Sequence, residues 1–364
     1  MYILTLPRVK ILFGFGIACL LVQLLFISYY NEIRLFYNNL CNNIVKHDVP
    51  STHPEPKHHP KLSSILDIID EKIQTNETKV IHLTLCPQIP PVPNENVSVL
   101  VPDRDKLEEV AQQLSCLRLL EGGHQKPLDC QARYKIAIIV PYRNRLSNLC
   151  TLLLNLHPFL TKQQLDYTIF VVEQFNKTLI VQDDGLFNRG MLMNIGFTEA
   201  LKLYDFDCFF FHDVDLIPLN YKNLYSCPDQ PRHMALAVDK RNFSVFRLPY
   251  FDYFGGVTAM SQTHFKLING FSNMFWGWGA EDDDLRHRVI ANKLSVTRYP
   301  LDVGRYHSCS HHYQTPNPKR LELLDSGWKR QKTDGLNSLK YQLIALKKFQ
   351  VFTYLLVDLS DNLS

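Results

Sequence analysis

Hydrophobic and polar positions change their pattern several times along the chain, and each change predicts a different kind of element. From Ile11 to Tyr30 the residues read ILFGFGIACLLVQLLFISYY, an apolar stretch without a charge. That is about the ~20 residues needed to cross a bilayer as a helix. Arg8 and Lys10 precede it, and the positive-inside rule keeps such a short basic end in the cytoplasm. Ser28-Tyr29-Tyr30-Asn31 offers no small-x-small cleavage site, so the stretch predicts an uncleaved signal anchor over 11–30 rather than a removed signal peptide. A buried globular helix is the remaining alternative, and the lack of any polar face weighs against it.

Beyond the anchor the pattern breaks down. His47, His53, His58 and His59 stand among Pro50, Pro54, Pro56 and Pro60, a polar and proline-broken composition that cannot bury much surface. Residues 31–85 therefore predict a stem or linker.

From about Cys86 the pattern becomes that of a folded domain, 86–364. Lys135 to Tyr142 (KIAIIVPY) is a β-branched run, Asn148 to Leu160 has helical spacing, and Tyr167 to Val172 is a second apolar run. Residues 191–203 read as a helix, and Cys208 to Phe211 as a buried strand stopping at His212-Asp213-Val214-Asp215. Alternating strands and helices predict an α/β fold, and such folds bind ligands at the carboxyl ends of their strands.

Composition adds compartment more than chemistry. The 39 basic and 36 acidic residues nearly balance, and no dense Lys/Arg stripe occurs, so the electrostatic footprint of a nucleic-acid binder is missing. Asn76, Asn96, Asn176, Asn242 and Asn362 each begin an Asn-x-Ser/Thr sequon, which fits a chain exposed to the secretory lumen. The nine cysteines include no close Cys-x-x-Cys pair, which makes a structural zinc site improbable and leaves disulfides as their use in an oxidising compartment.

Three motifs carry candidate chemistry. Trp276-Gly277-Trp278-Gly279 runs directly into Ala280-Glu281-Asp282-Asp283-Asp284. Four adjacent acids repel one another unless a cation, hydroxyl or donor uses them. A helix N-terminus would account for the acids through its dipole, but not for the paired Trp and Gly. Asp213-x-Asp215 after an apolar strand suits a hard divalent ion, although short Asp-x-Asp patterns also serve as turn residues. Pro141-Tyr142-Arg143-Asn144-Arg145, just past the first strand, offers an aromatic ring and two guanidinium groups for a base and phosphates, or else a solvated turn.

Together these motifs resemble the β-1,4-galactosyltransferase family, the inverting, type II Golgi membrane enzymes of glycosyltransferase family 7. PYRNR at 141–145, FNRGMLMNIGF at 187–197, FHDVDLIP at 211–218, YFGGVTAMS at 253–261, NGFSNMFWGWGAEDDDL at 269–285 and DGLNSL at 334–339 occur in the family's order. The resemblance implies a glycosyltransferase-A type, Rossmann-like catalytic domain in the Golgi lumen, with UDP-galactose as donor, Mn2+ as cofactor and a GlcNAc-terminated glycan as acceptor. It places the donor site on Pro141, Tyr142, Arg143, Arg145, Phe187, Arg189 and Asp213, with Tyr250, Tyr253 and Gly256 lining the donor and acceptor pocket. Asp282 is implied as the base, its pKa raised by the adjacent acids, and Glu281 and Asp283 as partners of sugar hydroxyls. Trp278 is implied as the tryptophan that closes over the donor, on a glycine-hinged loop it shares with Trp276. A bulky Tyr253 disfavours the N-acetyl group of UDP-GalNAc. The family's disulfides map onto Cys86 with Cys130 and Cys208 with Cys227, which leaves Cys41, Cys116, Cys150 and Cys309 unassigned.

The chain departs from the family pattern at the metal site. Asp215 and His311 match, but Ser308 stands where the family has a methionine ligand. A hydroxyl is a poor transition-metal ligand, and His307 is the nearest replacement. Leu321 stands where the family has an aromatic residue beside Arg320. A GalNAc donor, a xylose or glucose acceptor, a non-catalytic glycan-binding paralogue and a sugar-nucleotide hydrolase remain alternatives at this level.

Overall fold

The structure, a computed structural model, describes residues 83–93, 97–175, 186–243, 252–311, 314 and 316–359. The expected anchor at 11–30, nearly all of the stem, Tyr250 and four of the five sequon asparagines lie outside the described residues. Among the described residues no helix is long and apolar enough to cross a membrane.

In chain order the elements are α1 (Leu107–Gln113), β1 (Lys135–Tyr142), α2 (Leu146–Lys162), β2 (Asp166–Gln174), α3 (Arg189–Leu203), β3 (Cys208–His212), β4 (Leu216–Pro218), β5 (Arg232–His233) and β6 (Ala237–Val238). There follow β7 (Val257–Ser261), α4 (Gln262–Leu267), α5 (Glu281–Ala291), β8 (Thr297–Arg298), β9 (Arg305–Ser308), α6 (Arg320–Asp325), α7 (Gly327–Arg330), β10 (Gln342–Lys348) and β11 (Thr353–Asp358). The main sheet runs β10-β11-β2-β1-β3-β7-β5-β8, and a smaller one runs β4-β9-β6. β1 pairs in parallel with both β2 and β3, β11 joins β2 in parallel, and β7 and β10 run antiparallel to their neighbours. The fold is thus a mixed α/β sheet.

β1 explains the layering. A strand covered on both faces reads as a continuous apolar run. Ile136, Ile138 and Val140 face one core with Leu149, Leu153 and Leu156 of α2. Ala137 and Ile139 face the other with Met191, Leu192 and Ile195 of α3. His157 of α2 fastens the far edge: its Nε2 donates to the Val351 carbonyl at 2.8 Å, and its Nδ1 accepts from the Tyr167 hydroxyl at 2.8 Å. Burial lowers its pKa to about 4, which keeps the ring neutral.

The two disulfides expected from the resemblance, Cys86–Cys130 and Cys208–Cys227, are both formed. The second ties the first residue of β3 to the loop before β5. Cys116 is disulfide-bonded as well, whereas Cys150 and Cys309 are free.

Candidate active site

The carboxyl ends of β1 and β3 open into a cleft of about 390 Å³. Apolar packing brings each strand to this edge, where the pattern turns polar. β1 gives way to Arg143, Asn144 and Arg145, and β3 to Asp213, Val214 and Asp215. Fourteen of the residues expected at the site line the cleft: Pro141, Arg143, Arg145, Phe187, Arg189, Asp213, Asp215, Tyr253, Gly256, Trp278, Glu281, Asp282, Asp283 and His311.

Arg189, the first residue of α3, sits between the two acidic clusters. Its Nε and Nη2 both lie 2.7 Å from Asp213 Oδ1, and its Nη1 lies 3.6 Å from Glu281 Oε1. Burial works against its charge, but the carboxylates of Asp213, Glu281 and Asp282 outweigh it and hold the guanidinium protonated beyond the ordinary arginine range. Burial raises the pKa of Asp213, with Arg189 opposing. Burial also pushes on Asp215, yet the hydrogen bond from His311 and the nearby charges of His311 and Arg145 carry its carboxyl below the usual value. His311 Nε2 lies 3.2 Å from Asp215 Oδ2. The backbone makes this contact possible, because Cys309 N donates to the Asp215 carbonyl at 2.8 Å and pins the end of β9 beside the strand end.

Under Asp213, His212 is buried and neutral, its pKa lowered to about 4 by burial. Its Nδ1 donates to the Asp213 carbonyl at 2.8 Å and its Nε2 accepts from the Tyr225 hydroxyl at 3.0 Å. This fixes the backbone from which the Asp213 and Asp215 side chains project.

The opposite wall is the first turn of α5, where all four acids fall. A helix N-terminus favours negative charge, but here the favour is divided unequally. Asp284 is fully buried and accepts from Arg288 Nε at 2.6 Å. Asp282 has no such partner. Burial first, then the charges of Glu281 and Asp283, raise its pKa well above the ordinary aspartate value, with Arg189 only partly offsetting them. Burial raises Glu281 too, against Arg189, and its Oε2 is buried without a hydrogen-bond partner.

Close approach explains one glycine pair. A Cβ at Gly255 would stand 2.0 Å from Asp282 Oδ2 and 2.3 Å from the Tyr253 hydroxyl. Only glycine lets the carboxylate, the phenol and this backbone share one corner. In the Trp-Gly loop, Gly279 has φ +109°, a conformation that side chains rarely adopt, and next to it Trp278 is 57% exposed. Trp278 pairs with Pro316, and its carbonyl accepts from Asn317 N at 3.1 Å.

Three expected residues fall elsewhere. Tyr142 packs against the core beside α2, with its hydroxyl pKa raised by burial and by Glu173. Trp276 packs against the core beneath α3. His307 bonds Asp239 through Nδ1 and does not line the cleft. Asp239 also accepts from Ser308 N at 3.0 Å, so β9 hands its histidine to this carboxylate. Among the described residues no group of three or more His, Cys, Asp or Glu side chains is arranged to hold a metal. Gln314, Arg320 and Leu321 line the cleft as well. Gln314 carries no sequence signal, whereas the paired glycines 255 and 256 mark a close backbone approach.

Two family profiles match the chain. One is described as the N-terminal region of glycosyl transferase group 7, over residues 86–228, and the other as the N-terminal domain of galactosyltransferase, over residues 232–312. The chain is 42% identical over 285 residues to beta-1,4-galactosyltransferase 1 of Homo sapiens, a match covering 78% of this chain and 69% of that protein. It is 42% identical over 284 residues to beta-1,4-galactosyltransferase 4 of Rattus norvegicus, covering 77% and 78%. Among solved structures, the catalytic domain of Drosophila beta1,4-galactosyltransferase 7 in complex with xylobiose is similar at 30% identity and a TM-score of 0.52, covering 62% of this chain and 93% of that one. A mutant of that protein holding manganese, UDP-Gal and xylobiose has a TM-score of 0.51.

Proposed function

This chain belongs to the β-1,4-galactosyltransferase family of group 7 glycosyltransferases, and from that premise we propose that it moves galactose from UDP-galactose to the 4-hydroxyl of a terminal β-GlcNAc, with inversion. The observation that carries the proposal is one cleft in which the acidic tip of α5 faces the Asp215–His311 pair, with Arg189 between them.

Asp282 is the base. It takes the proton of the acceptor hydroxyl as that oxygen attacks the anomeric carbon, while the bond to UDP breaks on the opposite face. Its raised pKa suits a group that must accept a proton. The partnerless Oε2 of Glu281 is an acceptor for a sugar hydroxyl, since a buried polar atom is costly to leave unpaired. Asp283 is proposed as a second hydroxyl partner. Arg143, whose guanidinium lies 5.0 Å from the Phe187 ring centroid, and Arg145 offer charge-assisted donors to the diphosphate. Pro141 and Gly256 complete the proposed donor site, with Tyr250, outside the described residues, expected beside them. The Tyr253 phenol, packed near Gly255 and Asp282, leaves little room for an N-acetyl group on the donor. Trp278 closes the lid and excludes water that would hydrolyse the donor.

A carboxylate and an imidazole 3.2 Å apart fit manganese, and Asp215 and His311 are the residues that would hold it. When bound it supplies a Lewis acid for the departing diphosphate. Residues 11–30 are proposed as a type II Golgi membrane anchor, followed by the stem over 31–85 and the luminal catalytic domain over 86–364.

The full-length protein in detergent, given manganese, labelled UDP-galactose or UDP-GalNAc, and GlcNAc, glucose or xylose glycosides, tests the reading. Transfer from UDP-galactose to GlcNAc is expected. Transfer only to xylose or glucose replaces the acceptor, and no acceptor-dependent transfer with any pairing overturns the activity.

A further inference from the structure

β5 and β8 are the shortest strands of the main sheet, two residues each, and together they bring a buried histidine and an arginine to the segment around Tyr253. β5 lies between β7 and β8, and its register sets His233 opposite Thr258 on one side and Arg298 on the other. His233 is fully buried. Burial, with the charge of Arg298 second, lowers its pKa to about 3 and keeps the ring neutral. A neutral imidazole has one donor and one acceptor, and both are used. Nε2 donates to the Gly255 carbonyl at 3.0 Å, and Nδ1 accepts from Arg298 Nε at 3.4 Å. Arg298 Nη2 in turn donates to the Tyr253 carbonyl at 3.0 Å. Two side chains thus hold the carbonyls on either side of Phe254. The His233 ring also packs edge-on against Tyr253 and Phe254, with centroids 5.6 and 5.9 Å away.

These bonds act on the corner that Gly255 makes with the base. Tyr253 lines the cleft, and its hydroxyl and Asp282 Oδ2 both crowd the position of a Cβ at Gly255, at 2.3 and 2.0 Å. Where the phenol stands beside Asp282 therefore depends on how residues 253–255 are held. Arg286 of α5 reaches the neighbouring Asp252 at 2.6 Å, but Asp252 is 57% exposed in that pair, and an exposed ion pair holds little. The bond from His233 is the stronger hold, because Gly255 is buried and losing the donor leaves its carbonyl unpaired. Neither His233 nor Arg298 lines the cleft, so each acts through this backbone.

We propose that His233 and Arg298 are positioning residues for donor selection. By fixing the backbone of 253–255 they fix the phenol that fills the space beside Asp282, and with it the preference for a donor sugar bearing a hydroxyl rather than an N-acetyl group at C2. This rests on the galactosyl-transfer reading of the cleft.

The test uses the full-length enzyme in detergent, with manganese and the acceptor that the unaltered enzyme uses best, and compares kcat/KM for UDP-GalNAc and UDP-galactose. A pocket wall distinguishes substrates one small group apart by about 10- to 200-fold. Arg298→Met keeps much of the side chain's length and removes its donors, and is expected to raise the UDP-GalNAc to UDP-galactose ratio by roughly tenfold. Arg298→Lys keeps the charge and one donor for the Tyr253 carbonyl but loses the fork that also reaches His233, and should raise the ratio by about threefold. A purely structural role lowers the thermal midpoint and the rates with both donors together. An unchanged ratio in both variants, or in Arg298→Lys where Arg298→Met does not fold, overturns the proposal and leaves the galactosyl reading intact. If the unaltered enzyme transfers galactose to no acceptor, that reading fails and the proposal with it.

Discussion

At the end of β3, each aspartate has its own side-chain nitrogen partner. Asp213 has Arg189, and Asp215 has His311. At the start of α5, four acids share fewer cations. Asp284 takes Arg288, Glu281 takes the far end of Arg189, and Asp282 is left with carboxylate neighbours on either side. The same residue type thus stands beside a side-chain nitrogen on one wall and among carboxylates on the other. Burial raises both Asp213 and Asp282, and the rise is larger at Asp282, where the nearest neighbours are carboxylates.

Removing the uncompensated charge should break this contrast most sharply. Asp282→Asn is expected to lower kcat by about 10² to 10⁴-fold, measured with UDP-galactose and the GlcNAc acceptor. UDP binding should persist in calorimetry. The same variant relieves buried repulsion, and a gain of about 1 kcal/mol should raise the thermal midpoint by roughly 2 °C. A fall in midpoint would mean that the Asp282 charge is compensated after all.

The opposite wall should respond through the proposed manganese. His311→Ala is expected to raise the manganese concentration for half-maximal activity by at least about tenfold. His307→Ala should move it by less than about threefold, because that ring bonds Asp239. Comparable effects from both variants would place the two histidines on one ion.

A pH profile sharpens the comparison with the least perturbation. The base works only when ionised, so the acid limb of kcat/KM should lie above the ordinary carboxylate range, following the raised pKa of Asp282. The stability effect has the opposite sense. A raised folded pKa favours the fold below the unfolded carboxylate value, and that contribution is lost as pH rises through the folded one. An acid limb at an ordinary carboxylate pH would remove Asp282 as the base.

Much of the sheet was legible because its central strands are buried on both faces. β1, β2 and β3 and the helices α2 and α3 announce themselves as apolar runs and helical spacing. The hairpin of β10 and β11 does not. β10 is almost wholly exposed and ends in Lys347 and Lys348, as suits an edge strand that must not pair further, and it leaves no hydrophobic alternation to read. β5 and β8 are two residues each, too short for any periodicity. In the site, Asp213, Asp215 and the α5 acids stood out as charges beside apolar runs, whereas Gln314 and Leu321 reach the cleft only because the segment after β9 folds back over it.

The sequence by itself determined which residue types stand at the strand ends, the glycine-flanked tryptophans and the acids at one helix tip, because these depend on neighbours along the chain. It could not assign partners. That Arg189 spans both acidic clusters, that Asp282 feels it only at a distance, and that His307 is drawn to Asp239 while His311 meets Asp215 depend on distances between segments far apart in sequence. Coulombic and desolvation energies follow separation and burial in space, and only the tertiary structure sets those.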